Sequence, residues 1–284
     1  MAPLWKRTTF HIGGPADLLV FPETEADVAR WLRSGDVSLI LGGGSNLLVS
    51  DTGVRGVTLS LGPAFGDVKI EKKEGSVIVT AGASVTMTRL AGILMKSSVT
   101  GLEFAYGIPG MLGGALVMNA GAKDGEMKDV VDSVRVVTAE GARVEIRRDE
   151  IGFGYRSSSF PEGCVITGAV LRLREGRREE INEKMRRNQL ARKTTQPLNL
   201  PSAGSVYKNP AEDFAGRLID AAGLKGASVG DAKVSEKHAN FIVNAGRATA
   251  ADVMELMRLV EQRVFESSGT MLDREVRLAG DFKE

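Results

Sequence analysis

Several stretches of the chain combine residue types that could hold or transform an anionic ligand. Leu41-Gly-Gly-Gly-Ser-Asn-Leu-Leu-Val-Ser-Asp51 sets three consecutive glycines before two small polar residues and an apolar run. Glycine admits positive φ and lets backbone N–H groups approach an anion, and Ser45 and Asn46 add side-chain donors. The stretch therefore reads as a cradle for a phosphorylated ligand. A second cluster, Gly107-Ile-Pro-Gly-Met-Leu-Gly-Gly-Ala-Leu-Val-Met-Asn-Ala-Gly121, is too rich in glycine to be helical throughout, so its first half should be a loop that presents backbone amides. One glycine cluster alone is as well explained by a tight turn; two, each beside strand-like segments, suggest a ligand with a long polar body.

Outside the glycines, Pro201-Ser-Ala-Gly-Ser-Val-Tyr-Lys-Asn-Pro210 packs a flexible Gly204, the Ser205 hydroxyl, the Lys208 charge and the Asn209 amide between prolines. Arg156 lies in the aromatic, hydroxyl-rich loop Gly152-Phe-Gly-Tyr-Arg-Ser-Ser-Ser-Phe160. It suits either a cation stacked on Tyr155 or Phe160 or a bidentate clamp on a carboxylate. Glu275 stands two residues from Arg277 on a predicted strand, where both side chains share a face; a surface ion pair is the plain alternative.

Other chemistries are disfavoured. The common nucleotide signatures are missing, both the Gly-x-x-x-x-Gly-Lys-Ser/Thr loop and a Gly-x-Gly-x-x-Gly opening a helix. With two histidines, His11 and His238, and one cysteine, Cys164, a multi-His or Cys metal cluster is not expected, nor is a disulfide within the chain. A Ser–His nucleophile is disfavoured because no Gly-x-Ser-x-Gly elbow is present. Lys+Arg (37) and Asp+Glu (36) nearly cancel, which argues against nucleic acid or an acidic membrane as partner. The N-terminus lacks a signal-peptide run, and Gly110–Ala122 is too short and glycine-rich to span a bilayer, so a soluble cytoplasmic protein is expected.

The elements that must position these residues are a mixture of strands and helices. Strands are predicted at Asp17–Phe21, Ser38–Leu41 and Val57–Leu61, so the first glycine loop is strung between strands. Hairpins are predicted around Glu74-Gly75 and Glu140-Gly141, and a strand over Val165–Leu173. Thr24 with Asp27, and Thr249 with Asp252, read as helix starts of capping-box type. Helices are also expected over Ser84–Ser97 and Asp213–Ala222, and the charged run Arg174–Thr195 should be an exposed connecting helix. Strands around Phe241–Val243 and Glu275–Gly280 complete the pattern.

Taken together, these residues resemble the UDP-N-acetylenolpyruvoylglucosamine reductase (MurB) family. The resemblance runs nearly end to end through Thr9-Phe-His-Ile-Gly-Gly14, Leu41–Leu48, Gly107-Ile-Pro-Gly110, Gly113-Gly-Ala115, Asn119-Ala-Gly121, Tyr155-Arg156-x-Ser158, Gly204–Pro210, Ala215–Asp220, His238–Asn244 and Glu275-Val276. It implies two FAD-binding subdomains of the vanillyl-alcohol-oxidase (PCMH) type, residues 1–62 and 63–174, and a C-terminal α+β substrate-binding domain, residues 175–284. By motif position, Gly42, Gly43, Gly44, Ser45, Asn46, Gly107, Gly110, Gly113 and Gly114 inherit contacts to noncovalent FAD.

The implied reaction passes hydride from NADPH to FAD and then to the enolpyruvyl ether of UDP-N-acetylglucosamine-enolpyruvate. Arg156 matches the family's catalytic arginine, which would hold the substrate carboxylate. Glu275 matches the catalytic glutamate, and Ser205 the proton donor. Tyr155, Lys208 and Asn209 would face the substrate. Met111-Leu112 stands where Thr-Val is usual, and Lys123-Asp124 where an aromatic is common, which bears on local flavin packing only. The chain has only Tyr106, Tyr155 and Tyr207, and so belongs with the shorter branch that lacks the inserted tyrosine lid. The glycine loops by themselves would also suit a flavin oxidase using O₂ and a small alcohol or sugar, or a non-catalytic nucleotide-binding module.

Overall fold

The computed structural model describes residues 1–282. Six helices recur below: α1 (Glu25–Ser34), α2 (Met87–Lys96), α3 (Leu112–Val117), α4 (Arg178–Thr195), α5 (Ala215–Ala221) and α6 (Ala250–Ser268). The chain divides into two compact units that exchange the backbone four times. The first holds residues 1–19, 44–58 and 193–284, and the second 20–43 and 59–192.

The second unit is built on an antiparallel sheet in the order Arg143–Arg147, Val131–Val137, Val165–Glu175, Ser76–Gly82, Val68–Lys73. The two expected hairpins are present within it. Alternation along the strands sends neighbours to opposite faces: Val136 and Ile166 join a core with α2 and α3, whereas Val137 and Val165 pack with Val28 and Ala29 of α1. Both faces of Val165–Glu175 are thereby covered, which is why the first five residues of that strand are all buried. The helix α1 starts as its sequence demands. The Thr24 hydroxyl accepts from Asp27 N–H at 3.1 Å, Thr24 N–H donates to the Asp27 carboxylate at 3.1 Å, and Gly35 closes the helix at φ 76°.

The start of α2 departs from the expected Ser84, because residues 83–86 are claimed by the second glycine loop. Leu112 N–H donates to Val85 O at 2.9 Å, Gly113 N–H to Ala83 O at 2.9 Å, and Met87 N–H to Gly110 O at 3.1 Å. Thr86 then caps the helix by accepting from Arg89 N–H. The loop is thus pinned along its length to a strand end and a helix start, and it turns into α3 at Leu112.

In the first unit an antiparallel sheet runs in the order Ser202–Ser205, Phe241–Asn244, Ala232–Val234, Ser228–Val229. Leu218 and Ile219 of α5 and Val253, Met257, Val260 and Val264 of α6 pack into one core with Ala232, Val234 and Ile242 of the sheet. A parallel pair, Leu47–Val49 with Arg277–Ala279, joins the residues after the first glycine loop to the end of the chain. The closing strand therefore begins at Arg277 and leaves Glu275 in the irregular segment before it, which bends at Val276. Helix α5 begins at Ala215, two residues later than expected. Asp213 is spent on its own chain, accepting from Phe214 N–H and Arg217, while Asn209 Oδ1 accepts from Ala215 N–H at 3.1 Å.

Helix α6 combines the predicted Thr249/Asp252 capping box with a second cap from outside the helix. The Asp51 carboxylate, at the end of the glycine-loop stretch, accepts from Ala250 N–H at 2.8 Å and from Ala251 N–H at 3.0 Å. It satisfies two of the four donors a helix start leaves open and places negative charge at the positive end of the helix dipole. Asp51→Ala should therefore destabilise the protein by about 1–2 kcal/mol, read from urea unfolding monitored by circular dichroism; unchanged stability would remove Asp51 from this role.

Candidate active site

The cradle in the second unit is made by close contact between the two glycine clusters. A Cβ on Gly43 would lie 2.7 Å from Gly110 Cα, so only glycine permits this approach of two backbones. Gly110 and Gly107 take φ of 114° and 85°, conformations that other residues adopt only with strain. Where a Cβ would stand on Gly42 and Gly114 there is open space, whereas Gly113 packs α3 against Ala83, whose Cβ would be 3.2 Å away.

The end of α4 closes on this loop. At Gly107 a Cβ would stand 3.6 Å from Arg192 Cδ and 3.7 Å from its Nε, and that Nε is buried with no hydrogen-bond partner among the described residues. Burial pulls the Arg192 pKa below its ordinary value, yet a guanidinium stays charged at any physiological pH. On sequence grounds Arg192 belonged only to a charged connecting helix. Its signal is a partly buried guanidinium with an unpaired Nε, which appears once the chain is folded.

Arg156 also lies in the second unit. It follows Tyr155 at the tip of the hairpin Phe153–Gly154 with Ser157–Ser158. Its φ is 53°, a left-handed conformation in a two-residue turn where Gly or Asn is usual, and holding it there costs on the order of 1 kcal/mol or more. The guanidinium carbon lies 5.1 Å from the centre of the Tyr155 ring, so the stacked arrangement is present, and Nη2 donates to Gly121 O at 3.4 Å.

The residue that fixes this hairpin is Asn119, fully buried and itself left-handed at φ 41°. Its Nδ2 donates to Gly154 O at 3.0 Å and to Glu126 Oε2 at 2.8 Å, and its Oδ1 accepts from Lys128 N–H at 2.9 Å. Ser158 Oγ adds a bond to Val117 O at 2.7 Å. Asn119 thus ties the Arg156 turn to the backbone that follows α3. As part of an Asn-Ala-Gly motif it was visible in the sequence, but not as a positioning group.

The first unit brings the backbone at Glu275 against that beside Ser205. Gly204, at φ 78°, sits where the pairing of Ser202–Ser205 with Phe241–Asn244 shifts register, so Ser205 is re-aimed by a glycine bulge. Glu275 N–H donates to Val206 O at 2.7 Å, one residue beyond Ser205. The first glycine stretch meets the same place. Asn46 Nδ2 donates to Glu275 O at 3.0 Å, Arg277 N–H to Asn46 O at 3.1 Å, and Ser45 O lies 3.9 Å from a Cβ placed on Gly204. Gly44, at φ 60°, presses on Arg7 O, where any Cβ would be 2.1 Å away.

Lys208 and Asn209 lie here too. Lys208 Nζ is 2.7 Å from an Asp273 carboxylate oxygen, and Asn209 caps α5. Of the expected site residues, Gly42, Gly43, Gly107, Gly110, Gly113, Gly114, Tyr155 and Arg156 thus belong to the second unit, and Gly44, Ser45, Asn46, Ser205, Lys208, Asn209 and Glu275 to the first.

Comparison with known proteins gives this geometry its context. Residues 16–147 match the FAD binding domain family, and residues 196–279 the family described as the C-terminal domain of UDP-N-acetylenolpyruvoylglucosamine reductase. A UDP-N-acetylenolpyruvoylglucosamine reductase from an Anaeromyxobacter species is 48% identical over 99% of this chain and 88% of its own. The chain belongs to that family. The enzyme of the same name from Agathobacter rectalis is 42% identical over 99% of this chain and 93% of its own. The crystal structure of the Thermus caldophilus reductase, 40% identical, superposes with a TM-score of 0.85 over 98% of this chain and 97% of that one. The protein is thus an FAD-dependent oxidoreductase of α+β fold, in the reductase family that serves peptidoglycan synthesis.

The second unit's glycine contact suits that cofactor. Bare backbone at Gly43 and Gly110, open space at Gly42 and Gly114, and the partly buried guanidinium of Arg192 with its unpaired Nε suit a diphosphate linking two larger groups. Among the described residues no group of three or more His, Cys, Asp or Glu is placed to hold a metal ion, and no helix is long and apolar enough to cross a membrane.

A methyl group forced between Gly43 and Gly110 must push two backbones apart, an overpacking cost of about 1–3 kcal/mol. Gly43→Ala should therefore weaken FAD binding by roughly tenfold or more, measured by quenching of flavin fluorescence on titration of the apoprotein; wild-type affinity would contradict the cradle.

Proposed function

We propose that the protein reduces UDP-N-acetylglucosamine-enolpyruvate to UDP-N-acetylmuramate with NADPH as hydride donor. The observation that carries this reading is the backbone bond from Glu275 to Val206, next to Ser205, with Asn46 of the first glycine stretch held to the Glu275 carbonyl, in a chain whose relatives bear the reductase's name. FAD, when bound, supplies the relay that takes hydride from NADPH and delivers it to the substrate. Gly42, Gly43, Gly107, Gly110, Gly113 and Gly114 hold it through backbone.

The roles follow from what an enol ether needs. Hydride arrives at its terminal carbon only if the negative charge that develops toward the conjugated carboxylate is stabilised, and a proton must then reach the adjacent carbon. Arg156 holds the carboxylate and the enolate, a task suited to a planar fork of donors on a strained, pre-set turn. Glu275 stabilises the enol-like intermediate. Ser205 Oγ gives up the proton. A hydroxyl is a weak acid, so this step demands close positioning against a strongly basic carbon, and the Gly204 bulge is the local device for it.

Tyr155, half exposed at the hairpin tip, lines the substrate side. Lys208 and Asn209 meet the substrate diphosphate, Lys208 by exchanging its exposed Asp273 partner for phosphate oxygens. Residues 1–62 and 63–174 form the FAD-binding subdomains and residues 175–284 the substrate-binding domain, and the enzyme works in the cytoplasm.

An anaerobic absorption experiment tests the reading. The purified protein should be yellow, NADPH should bleach the flavin band, and UDP-N-acetylglucosamine-enolpyruvate should restore it. A protein that stays colourless after reconstitution with FAD, or one reoxidised by air much faster than by the nucleotide sugar, would contradict it.

A further inference from the structure

Glu275 does not lie in a regular ladder. Both its own N–H and that of Val276 donate to the single carbonyl of Val206, at 2.7 and 3.2 Å, so backbone pairing stalls where the side chain must be aimed. Residues on either side are firmly held. Lys208 N–H donates to Asp273 O at 2.8 Å, Arg274 bridges Tyr207, and Val276 is buried. This two-on-one pairing is a bulge with a bend at Val276, so regular alternation is broken there and the direction of Glu275 is set by its immediate neighbours, Arg274 first among them.

The Arg274 guanidinium forks onto Glu261 of α6, with Nε 2.5 Å from Oε1 and Nη2 2.7 Å from Oε2. About one turn earlier on the same helix, Met257 O accepts from the hydroxyl of fully buried Tyr207 at 3.0 Å. The strand that carries Ser205 and the segment that carries Glu275 are therefore referred to the same stretch of one helix, whose buried face includes Val253, Met257, Val260 and Val264. A bidentate pair fixes the plane as well as the distance of a guanidinium, which a single charge contact does not.

We propose that the Glu261–Arg274 pair is a clamp that sets where the Glu275 carboxylate stands relative to Ser205, making Arg274 a positioning residue for substrate reduction. The proposal rests on the catalytic role of Glu275 given above. Its consequence is selective. Misplacing Glu275 disturbs the transfer to the enolpyruvyl group and leaves the reduction of FAD by NADPH alone, whereas a pair that only stabilised the fold would affect both half-reactions alike.

The test is a double-mutant cycle on the FAD-loaded full chain, with each half-reaction followed by anaerobic stopped-flow absorbance. Arg274→Met should slow reoxidation by UDP-N-acetylglucosamine-enolpyruvate by roughly tenfold or more while leaving reduction by NADPH within about twofold. Arg274→Lys, which keeps the charge but cannot fork, should fall between it and wild type. In a Glu275→Gln background, Arg274→Met should add less than about twofold, because the residue through which it acts is already disabled. Should Arg274→Met fail to fold, the doubly apolar Glu261→Leu/Arg274→Met protein removes both charges together and serves the same cycle. Full multiplication of the two effects, or equal slowing of both half-reactions, would overturn the clamp and leave Glu275 in place. Wild-type reoxidation in Glu275→Gln alone would overturn the role of Glu275, and the clamp with it.

Discussion

The carbonyl of Val206 is the point on which the first unit depends. It accepts from both Glu275 and Val276, and so fastens the end of the chain to a segment roughly seventy residues earlier, beside Ser205. Neither partner could hold the other unaided. Ser202–Ser205 is positioned by Phe241–Asn244, Arg277–Ala279 by Leu47–Val49, and both lie over a core supplied by α5 and α6. The core residues of this unit, from Phe10 to Val276, span nearly the whole sequence, so the Ser205–Glu275 pair forms only when distant parts of the chain have come together.

The second unit achieves placement by a different physical route. Its cradle is defined by side chains that are missing, since Gly43 and Gly110 approach as no other residues could. That approach is rigid because the loop is hydrogen-bonded to residues 83–87 along its length. Its hairpin tip is defined instead by strain that neighbours support: Arg156 and Asn119 both take left-handed conformations, and Asn119 meets its donors and acceptor entirely inside the protein. A buried amide with its partners satisfied contributes order, whereas one left unpaired would cost about 1–3 kcal/mol. The unit therefore presents a cation on a turn that cannot relax without breaking that network.

What the sequence revealed was whatever is encoded over a few residues. The Thr24/Asp27 and Thr249/Asp252 boxes and the hairpins at Glu74-Gly75 and Glu140-Gly141 all appear where local chemistry demands them. Three features escaped because their causes are distant in sequence. Ser84 and Val85 stay outside α2 because Gly113 and Leu112 bind the carbonyls of Ala83 and Val85, helix α5 starts late because Asn209 caps Ala215, and the last strand starts at Arg277 because pairing stalls at Glu275. Arg192 and Asn119 could not be singled out from spacing, since what marks them is burial and partnership. The interleaving of the two units is of the same kind, arising from pairings between segments that composition does not connect. The family resemblance carried the site residues further than periodicity could, but it had no means of showing that Asn46 holds the backbone of Glu275.

Ser205 offers the most direct test of the account, because the proposed mechanism needs its hydroxyl for one half of the reaction only. With FAD-loaded Ser205→Ala, stopped-flow absorbance under anaerobic conditions should show reduction by NADPH at the wild-type rate and reoxidation by UDP-N-acetylglucosamine-enolpyruvate slowed by about a hundredfold or more, the usual cost of losing a positioned proton donor. Reoxidation at the wild-type rate would show that the proton comes from elsewhere and that the Ser205–Glu275 pair is not where the substrate is reduced.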